Sequence, residues 1–323
     1  MPKLYPILAG ALAGLVLRLI FSGPGGSDWS PMVGAFIFGV PIFVGMLTVY
    51  LAEREQRRSW TYYFAAPWLA TVLFVAGTLL LLIEGWICAI VIVPMFGVLG
   101  GLGGLFMGML CRLTNKPRTP LQCAGALPIV LAFLAPLIPT PTAEGLIERD
   151  LVISAPPAVV WQRINRIEQI RIEEMDDALA LRIGVPAPVA GITQSIGNSY
   201  VRKSQWGKHV HFDEVIQDWK PERFVRWTYR FSPDSFPRNA LDDHVVIGGH
   251  YFDLVDTSFT LQPTEGGTST HLTTRVRYRI ATQFNFYADW VAQILLGNLS
   301  DVGLQLYKTR SEKSLALDDS EQT

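Results

Sequence analysis

The chain divides into two halves by its pattern of hydrophobic and polar positions. Residues 1–140 are almost continuously apolar, whereas residues 144–323 hold most of the charged side chains. A membrane-crossing helix needs about 20 predominantly apolar residues. The apolar segments that meet or approach this length are 4–21, 31–52, 64–83, 86–110 and 121–138. The sequence therefore predicts an N-terminal all-α transmembrane bundle of about five helices over residues 1–140.

The first and fifth segments leave alternatives open. A cleaved signal peptide is the alternative for the first, although Phe21-Ser22-Gly23-Pro24 is a poor small-residue cleavage site. The fifth is short and contains Pro128 and Pro136, and whether it crosses decides on which side of the membrane the following domain lies.

Basic residues in the short loops predict the orientation, because Lys and Arg concentrate on the cytoplasmic side. They alternate with loops that carry none, and they are Lys3, then Arg54, Arg57 and Arg58, then Arg112, Lys116 and Arg118. We expect an integral protein of the cell or inner membrane with a cytoplasmic N-terminus. With five spans the C-terminal domain is extracytoplasmic, and with four it is cytoplasmic.

Glycines and charges within the spans suggest how the bundle packs. Glycines four apart in the fourth span let helix backbones approach closely, and they are Gly97, Gly100, Gly101, Gly103, Gly104 and Gly108. Packing inside one bundle is the simpler expectation, and a homo-oligomer through this span is the alternative. Arg18 and Glu84 lie at similar depth near the outer ends, so we expect them to pair. An ion or proton role is the alternative.

The second half follows a Pro-rich linker at 141–145 and changes to soluble patterning. A first strand at 146–154 precedes short helices that begin near Val159, and a Pro/Gly-rich loop spans 184–191. Alternation with a period of two then predicts strands at 200–206, 208–218, 223–231, 252–261 and 269–280. A long amphipathic helix is predicted at 284–309, followed by a disordered acidic tail within 312–323.

Three motifs in this order carry a resemblance to a known family. They are Ile153-Ser-Ala-Pro-Pro-Ala-Val-Val-Trp161, Val215-Ile-Gln-Asp-Trp-Lys-Pro-Glu-Arg-Phe-Val-Arg-Trp227 and the Glu265-Gly-Gly-Thr268 turn. Residues 146–311 thereby resemble the SRPBCC superfamily, which includes START, birch-pollen-type and polyketide cyclase/dehydrase-like domains. The resemblance implies an α+β helix-grip domain, with an antiparallel sheet wrapped on a long C-terminal helix. Residues 232–251 look like an insertion.

The resemblance implies a cavity between the sheet and the long helix that binds a hydrophobic or lipid-like small molecule. The inward-facing set would be Val225, Trp227, Tyr229, Phe259, Leu261, Val276, Tyr278, Ile280, Tyr287, Val291 and Leu295. Alternation alone does not distinguish a hollow interior from a filled core. The expected partners are this ligand and membrane lipids.

Candidates for catalysis and metal binding are few. Asp243, His244 and His250 lie in the insertion and are candidate catalytic or ligand-recognising groups, although a solvated loop is the commoner case. His209, His211 and Asp213 share one strand face and are candidate metal ligands, but the apolar Val210 and Phe212 favour the inward face and leave the histidines in solvent. No phosphate-binding loop, nucleophile elbow or paired-cysteine zinc motif occurs, so no cofactor is expected. A net charge of -1 gives no indication of nucleic-acid binding.

Three functions fit this sequence. The first is a membrane-anchored binding protein that presents a lipid-like molecule at the outer face. The second is a cyclase- or hydrolase-type enzyme acting on such a molecule. The third is a sensory or scaffold membrane protein. Fold alone does not choose among them.

Overall fold

A computed structural model describes residues 4–24, 26–114, 139–197, 199–237, 240–242 and 244–321. The chain divides into two compact units. The first comprises Met1–Pro141 and Thr282–Phe284, and the second comprises Thr142–Ala281 and Asn285–Thr323.

The first unit is helical. Its helices are α1 (Tyr5–Ile20), α2 (Val40–Glu55, preceded by a π-helical turn at Ala35–Gly39), α3 (Trp60–Leu80) and α4 (Trp86–Thr114). Three apolar helices have the length to cross a membrane, Ala35–Glu55, Trp60–Leu80 and Trp86–Thr114, and Tyr5–Ile20 is a shorter apolar helix. The described residues thus hold three such helices rather than the predicted five or so. The predicted fifth span at 121–138 lies outside them.

The glycines of α4 are used in contacts inside this unit. A Cβ atom on Gly103 would lie 2.3 Å from the Ile42 carbonyl oxygen of α2, and one on Gly104 would lie 2.1 Å from the Tyr63 carbonyl oxygen of α3. A Cβ atom on Gly45 of α2 would lie 1.9 Å from the Gly100 carbonyl oxygen. Small residues therefore bring the backbones of α2, α3 and α4 close together.

Arg18 and Glu84 form the predicted pair. Arg18 Nε donates to Glu84 Oε1 at 2.6 Å, and Arg18 Nη1 donates to the Phe21 carbonyl oxygen at 2.8 Å. Both side chains are largely buried, with 6% and 16% exposure. Pairing offsets the cost of placing two charges within an apolar bundle.

The second unit is built on an eight-stranded antiparallel sheet with the order β1-β8-β7-β6-β5-β4-β3-β2. The strands are β1 (Thr142–Ile153), β2 (Arg166–Ile167), β3 (Pro188–Ile196), β4 (Ser199–Trp206), β5 (His211–Lys220), β6 (Phe224–Arg230), β7 (Phe252–Thr264) and β8 (Ser269–Ala281). Helices α5 (Pro157–Asn165) and α6 (Leu179–Arg182) flank a 3-10 turn at Ile172–Met175. The long α7 (Asn285–Glu321) packs against β1, β8, α5 and α6. This arrangement is consistent with the predicted helix-grip fold.

Two predicted domain boundaries are wrong. Most of the predicted linker at 141–145 belongs to β1, because Thr142 already pairs with Ala281 and the pairing continues to Ile153. The predicted helix end at residue 309 is too early, since α7 continues to Glu321 through the predicted tail. Residues 310–321 contain no Gly or Pro that would end a helix.

Candidate functional site

The inner face of the sheet carries two large apolar clusters, each covered by a different part of α7. The Trp227 cluster combines Val225, Trp227, Phe259, Leu261 and Leu272 of the sheet with α5 and with Val302, Leu304, Leu306 and Tyr307 of α7. The Tyr278 cluster combines Ile147, Tyr278 and Ile280 with Ala292 near the start of α7. A smaller Phe212 cluster contains Val210, Phe212 and Ala240. The helix thus grips the sheet along two consecutive apolar regions.

A buried ion pair interrupts this apolar interior between β4 and β5. Arg202 Nη1 donates to Glu214 Oε2 at 2.5 Å and to Ser204 Oγ at 3.1 Å, and Ser204 Oγ donates to Glu214 Oε1 at 2.8 Å. Arg202 Nε donates to the Ile164 carbonyl oxygen at 3.1 Å, and Nη2 approaches the Tyr307 hydroxyl at 3.5 Å. The two charged side chains are 8% and 7% exposed. These bonds join α5, β4, β5 and α7 around the Arg202–Glu214 pair.

The electrostatics keep Arg202 charged and Tyr307 neutral. Burial by itself would lower the pKa of Arg202, but the carboxylate of Glu214 raises this pKa above its ordinary value. Burial raises the pKa of Tyr307, which therefore remains a hydroxyl. The interior accordingly contains one compensated ion pair and a phenol beside it.

Trp227 supplies a buried donor next to this pair. Its side chain is 4% exposed, and among the described residues its indole Nε1–H finds no hydrogen-bond acceptor. The Arg202 guanidinium carbon lies 5.4 Å from the centre of the Trp227 ring. On the same strand, the Tyr229 hydroxyl hydrogen-bonds Thr257 Oγ1 at 2.6 Å. Burial raises the pKa of Tyr229, and the nearby indole opposes this rise without reaching hydrogen-bond geometry. Buried polar groups nearly always have a partner, so the free indole N–H marks a place where an acceptor is expected.

A second polar group lies at the other end of the inner face. The Tyr278 hydroxyl donates to Asp289 Oδ1 at 2.7 Å and accepts a hydrogen bond from Gln293 Nε2 at 2.8 Å. Burial and the bond to Asp289 raise the pKa of Tyr278. The ring lies over Gly145 of β1, where a Cβ atom would come 2.1 Å from Tyr278 Cζ. This arrangement locks the start of α7 onto β1 and β8.

The structure brings together most of the predicted ligand-binding residues. Val225, Trp227, Phe259 and Leu261 lie in the Trp227 cluster, against which Tyr229 packs. Tyr278 and Ile280 lie in the Tyr278 cluster, against which Val276 packs. The three helical residues are placed differently, because Ala288, Ala292 and Leu296 face this cluster. Tyr287, Val291 and Leu295 are half-buried and belong to none of the clusters described above.

Two of the three predicted catalytic residues lie in the part of the chain that the structure describes, and both are outside regular secondary structure. Asp243 is outside the described residues. His244 and His250 lie in the segment between β6 and β7, and both rings flank Tyr251, with ring centres at 6.2 Å and 4.8 Å. His250 is exposed.

The three metal candidates are separated by their local geometry. His209 lies in a turn before β5 with a φ of 61°, not on the strand. His211 Nε2 is 3.5 Å from Asp234 Oδ2, while Asp213 binds Lys203 Nζ at 2.6 Å and Arg230 Nη2 at 2.7 Å. In the part of the chain that the structure describes, no group of three His, Cys, Asp or Glu side chains could hold a metal.

Arg202, Ser204 and Glu214 are site residues that the sequence pattern did not predict. One signal was available: Glu214 falls between Phe212 and Ile216, on the alternating positions that face inward. A carboxylate at an inward position requires a buried partner. The identity of that partner depends on the pairing of Arg202 with Glu214 in the sheet.

Comparisons with known proteins give no family assignment. No family model matches the chain, and no curated protein matches it. Similar solved structures include the ZhuI aromatase/cyclase from Streptomyces sp. R1128, at 12% identity over 54% of this chain and 96% of that one, with a TM-score of 0.33. Norcoclaurine synthase from Thalictrum flavum is 12% identical over 54% and 98%, with a TM-score of 0.31. A protein from Thermus thermophilus is 16% identical over 53% and 99%, with a TM-score of 0.33. The description of the C-terminal domain as a helix grip therefore rests on its own strand order and its long helix.

Proposed function

We propose that this chain is a membrane-anchored binding protein whose helix-grip domain takes up a hydrophobic or lipid-like small molecule. The observation that carries this proposal is the buried Trp227 indole N–H, which lies beside the Tyr229 hydroxyl and the Arg202 guanidinium but has no acceptor in hydrogen-bond geometry among the described residues. An apolar lining with a few placed polar groups is typical of small-molecule sites. A ligand atom that accepts this hydrogen bond would satisfy the buried indole donor.

The surroundings of Trp227 indicate the chemistry of the ligand. Val225, Phe259 and Leu261 offer only apolar contacts, so they suit a hydrocarbon or ring body. Arg202 is already neutralised by Glu214, so the site has no spare positive charge for a free anion. The ligand would therefore be amphipathic, with a neutral acceptor such as a carbonyl or ester oxygen directed at Trp227 Nε1.

Exposed apolar side chains support the membrane anchor. Leu8, Leu12 and Val16 follow one exposed face of α1, and Leu102 and Phe106 belong to an exposed face of α4. Continuous apolar surface of this kind is unfavourable in water and stable in hydrocarbon. On this reasoning the short α1 is also a membrane helix. The basic loops favour a cytoplasmic N-terminus, and with the apolar segment 121–138 as a fifth span the domain is extracytoplasmic.

The test uses the full chain purified in detergent. Native mass spectrometry would detect a co-purifying lipid, and titration with a fluorescent fatty-acid ester would measure affinity. Trp227→Phe removes the indole donor and retains an aromatic ring. We expect it to weaken binding about fivefold, since a hydrogen bond contributes roughly 1 kcal/mol.

The matched control is Trp219→Phe, because Trp219 packs at the edge of the same cluster and stacks on Tyr200 at 4.7 Å. The control should bind ester with nearly unchanged affinity. Absence of any ester binding by the parent chain, or equal loss in both variants, would contradict the proposal.

An enzymatic role is the second candidate, and the Arg202–Glu214 pair beside the neutral Tyr307 favours it. A charged pair and a phenol in a dry interior can polarise a carbonyl and donate a proton. Tyr307→Phe would then abolish turnover of a bound ester, followed by mass spectrometry, without abolishing its binding. Unchanged ester in the parent sample would support binding alone.

A further inference from the structure

The first turns of α7 are apolar on two opposite sides. Ala288, Ala292 and Leu296 face the sheet, where they contribute to the Tyr278 cluster. Phe286 and Trp290, separated by one helical turn, are 71% and 58% exposed. A second, outward apolar face therefore exists where an ordinary surface helix would be polar.

The outward face continues over several residues. Ile294 follows Trp290 by a further turn and is 41% exposed, and the ring of Tyr287 lies 5.7 Å from that of Trp290. Tyr287 and Val291 are the half-buried residues that join none of the inner clusters. The polar neighbours Asp289 and Gln293 do not interrupt this face, because both turn to the Tyr278 hydroxyl. The outward face thus presents aromatic and aliphatic side chains only.

The position of this face within the domain is fixed by the sheet. Thr142 is the first residue of β1 and pairs with Ala281, the last residue of β8. Helix α7 begins at Asn285, four residues after Ala281. The exposed face is therefore at the end of the domain that contains Thr142, where the chain enters the sheet.

We propose that Phe286, Trp290 and Ile294 insert into the interfacial layer of the bilayer and dock the start of α7 on lipid. The inference rests on the proposed membrane anchor, and it adds a lipid-binding surface outside the ligand site. Trp and Tyr are suited to the headgroup boundary, because each combines an apolar body with a polar edge. Trp, Phe and aliphatic side chains form the lipid-facing side of helices that lie in this layer. Burying the exposed rings would also remove the largest apolar side chains of this helix from water.

The test measures the depth of single labels on the full chain. In a background in which Cys88, Cys111 and Cys123 are replaced by Ala, the variants Phe286→Cys, Trp290→Cys and Ile294→Cys each carry a nitroxide. The protein is reconstituted into phosphatidylcholine–phosphatidylglycerol vesicles. Collision rates with oxygen, which partitions into lipid, are compared with those of a water-soluble nickel chelate.

The matched control is Ile172→Cys, since Ile172 is equally apolar and 61% exposed. Its 3-10 turn is tied to the far part of α7 by the 2.7 Å bond between Arg310 and Glu174. Arg310 is 24 residues from Phe286, or about 36 Å along a helix. We expect the three α7 labels to collide at least threefold more with oxygen relative to nickel than the control label.

Three results would overturn the inference, and they are distinguishable. Nickel accessibility equal to that of the control would place the face in water. Protection from both reagents would indicate a protein partner, either another segment of the chain or a second copy. Release of the whole chain by alkaline carbonate would remove the membrane anchor itself, whereas ester binding in detergent tests the ligand site separately.

Discussion

Arg202 and Glu214 are cross-strand partners whose charges meet at 2.5 Å inside the domain, while the adjacent partners Lys203 and Asp213 meet at 2.6 Å on its outer face. The two pairs have nearly the same length and differ in burial. The Lys203 side chain is 44% exposed, and Arg202 is almost fully enclosed. The same cross-strand pairing of opposite charges therefore has different energetic consequences on the two faces of one sheet.

Removal of Glu214 alone should be costly. Glu214→Leu leaves the Arg202 guanidinium buried without its carboxylate, so we expect a loss of about 3–5 kcal/mol in unfolding free energy. The double variant Arg202→Met/Glu214→Leu should recover most of this loss, because no charge then remains inside. Thermal unfolding of the full chain in detergent, followed by tryptophan fluorescence, measures the differences.

The outer pair provides the control for this experiment. Asp213→Asn should cost no more than about 1 kcal/mol, because Lys203 remains accessible to water. If Asp213→Asn lost as much stability as Glu214→Leu, burial of Arg202 would not explain the stability loss of Glu214→Leu.

A larger side chain at Ala292 of α7 should lower the stability of the domain, whereas a larger side chain at Val291 should not. Ala292 is 9% exposed and packs with Tyr278 and Ile280, so Ala292→Phe should overpack the Tyr278 cluster and cost about 1–3 kcal/mol. Val291→Phe should stay within about 0.5 kcal/mol of the parent, because Val291 is half-buried and belongs to none of the apolar clusters. Comparable melting temperatures for the two variants would show that the helix is rotated from the position described here.

Strand alternation predicted the inner face of the sheet well, for a physical reason. In β6, Val225 and Trp227 are buried, whereas Arg226 between them bonds Asp218 on the other face. Successive side chains of a strand point to opposite faces of the sheet, so large apolar residues at alternate positions indicate which face is buried. The turn at Glu265–Gly267 was equally recognisable, since Gly266 and Gly267 have φ values of 70° and 95°.

The face of α7 that packs on the sheet could not be predicted from the hydrophobic pattern. The bulky Val291 and Leu295 predict an interior face that includes them, whereas the small Ala288 and Ala292 are the residues that pack in the Tyr278 cluster. Alanine contributes little to a hydrophobic pattern, so a helix that packs through alanines is assigned to the wrong face. The extra apolar face at Phe286 and Trp290 added to this error.

The buried ion pair was hidden for a different reason. Patterning assigns charged side chains to solvent, and only the register of β4 against β5 shows that Arg202 and Glu214 are opposite each other. Arg18 and Glu84 were easier to find, since any charge is conspicuous in an apolar segment.

Acid should weaken the attachment of α7 to the 3-10 turn. Hydrogen bonds from Arg310 lower the pKa of Glu174 to about 2, and the Arg171 backbone N–H adds to this effect while burial opposes it. A pKa that is depressed in the folded state adds stability above the ordinary value of 4.5. That stability is lost as the pH falls from about 4.5 to about 2.

The measurement compares melting temperatures of the parent chain and Glu174→Gln between pH 7 and pH 2. The parent should melt higher at neutral pH, and the difference should shrink through this window. Glu173→Gln, an exposed neighbour, controls for general acid effects. A difference that stayed constant down to pH 2 would mean that the carboxylate does not stabilise the fold.

The location of the domain can be tested by fusions to the intact C-terminus. We expect alkaline phosphatase fused after Thr323 to be active, because the basic loops predict a cytoplasmic N-terminus and the five apolar segments predict an odd number of spans. Green fluorescent protein at the same position should be dark. The opposite pattern would show an even number of spans and a cytoplasmic domain.

Close packing of α2 on α4 should make Gly45 intolerant of even one methyl group. Its added Cβ atom would meet the Gly100 carbonyl oxygen at 1.9 Å, and because this neighbour is backbone it cannot turn aside. Gly45→Ala should therefore push the two helices apart and cost about 1–3 kcal/mol. Gly77 of α3 is the matched helical glycine, since its added Cβ atom would meet only Leu15 side-chain atoms at 3.7 Å. Gly77→Ala should be neutral or stabilise by about 0.5–1 kcal/mol, because alanine favours a helix. Melting temperatures of both variants in detergent separate the outcomes, and an unchanged value for Gly45→Ala would mean that α2 and α4 do not approach through these glycines.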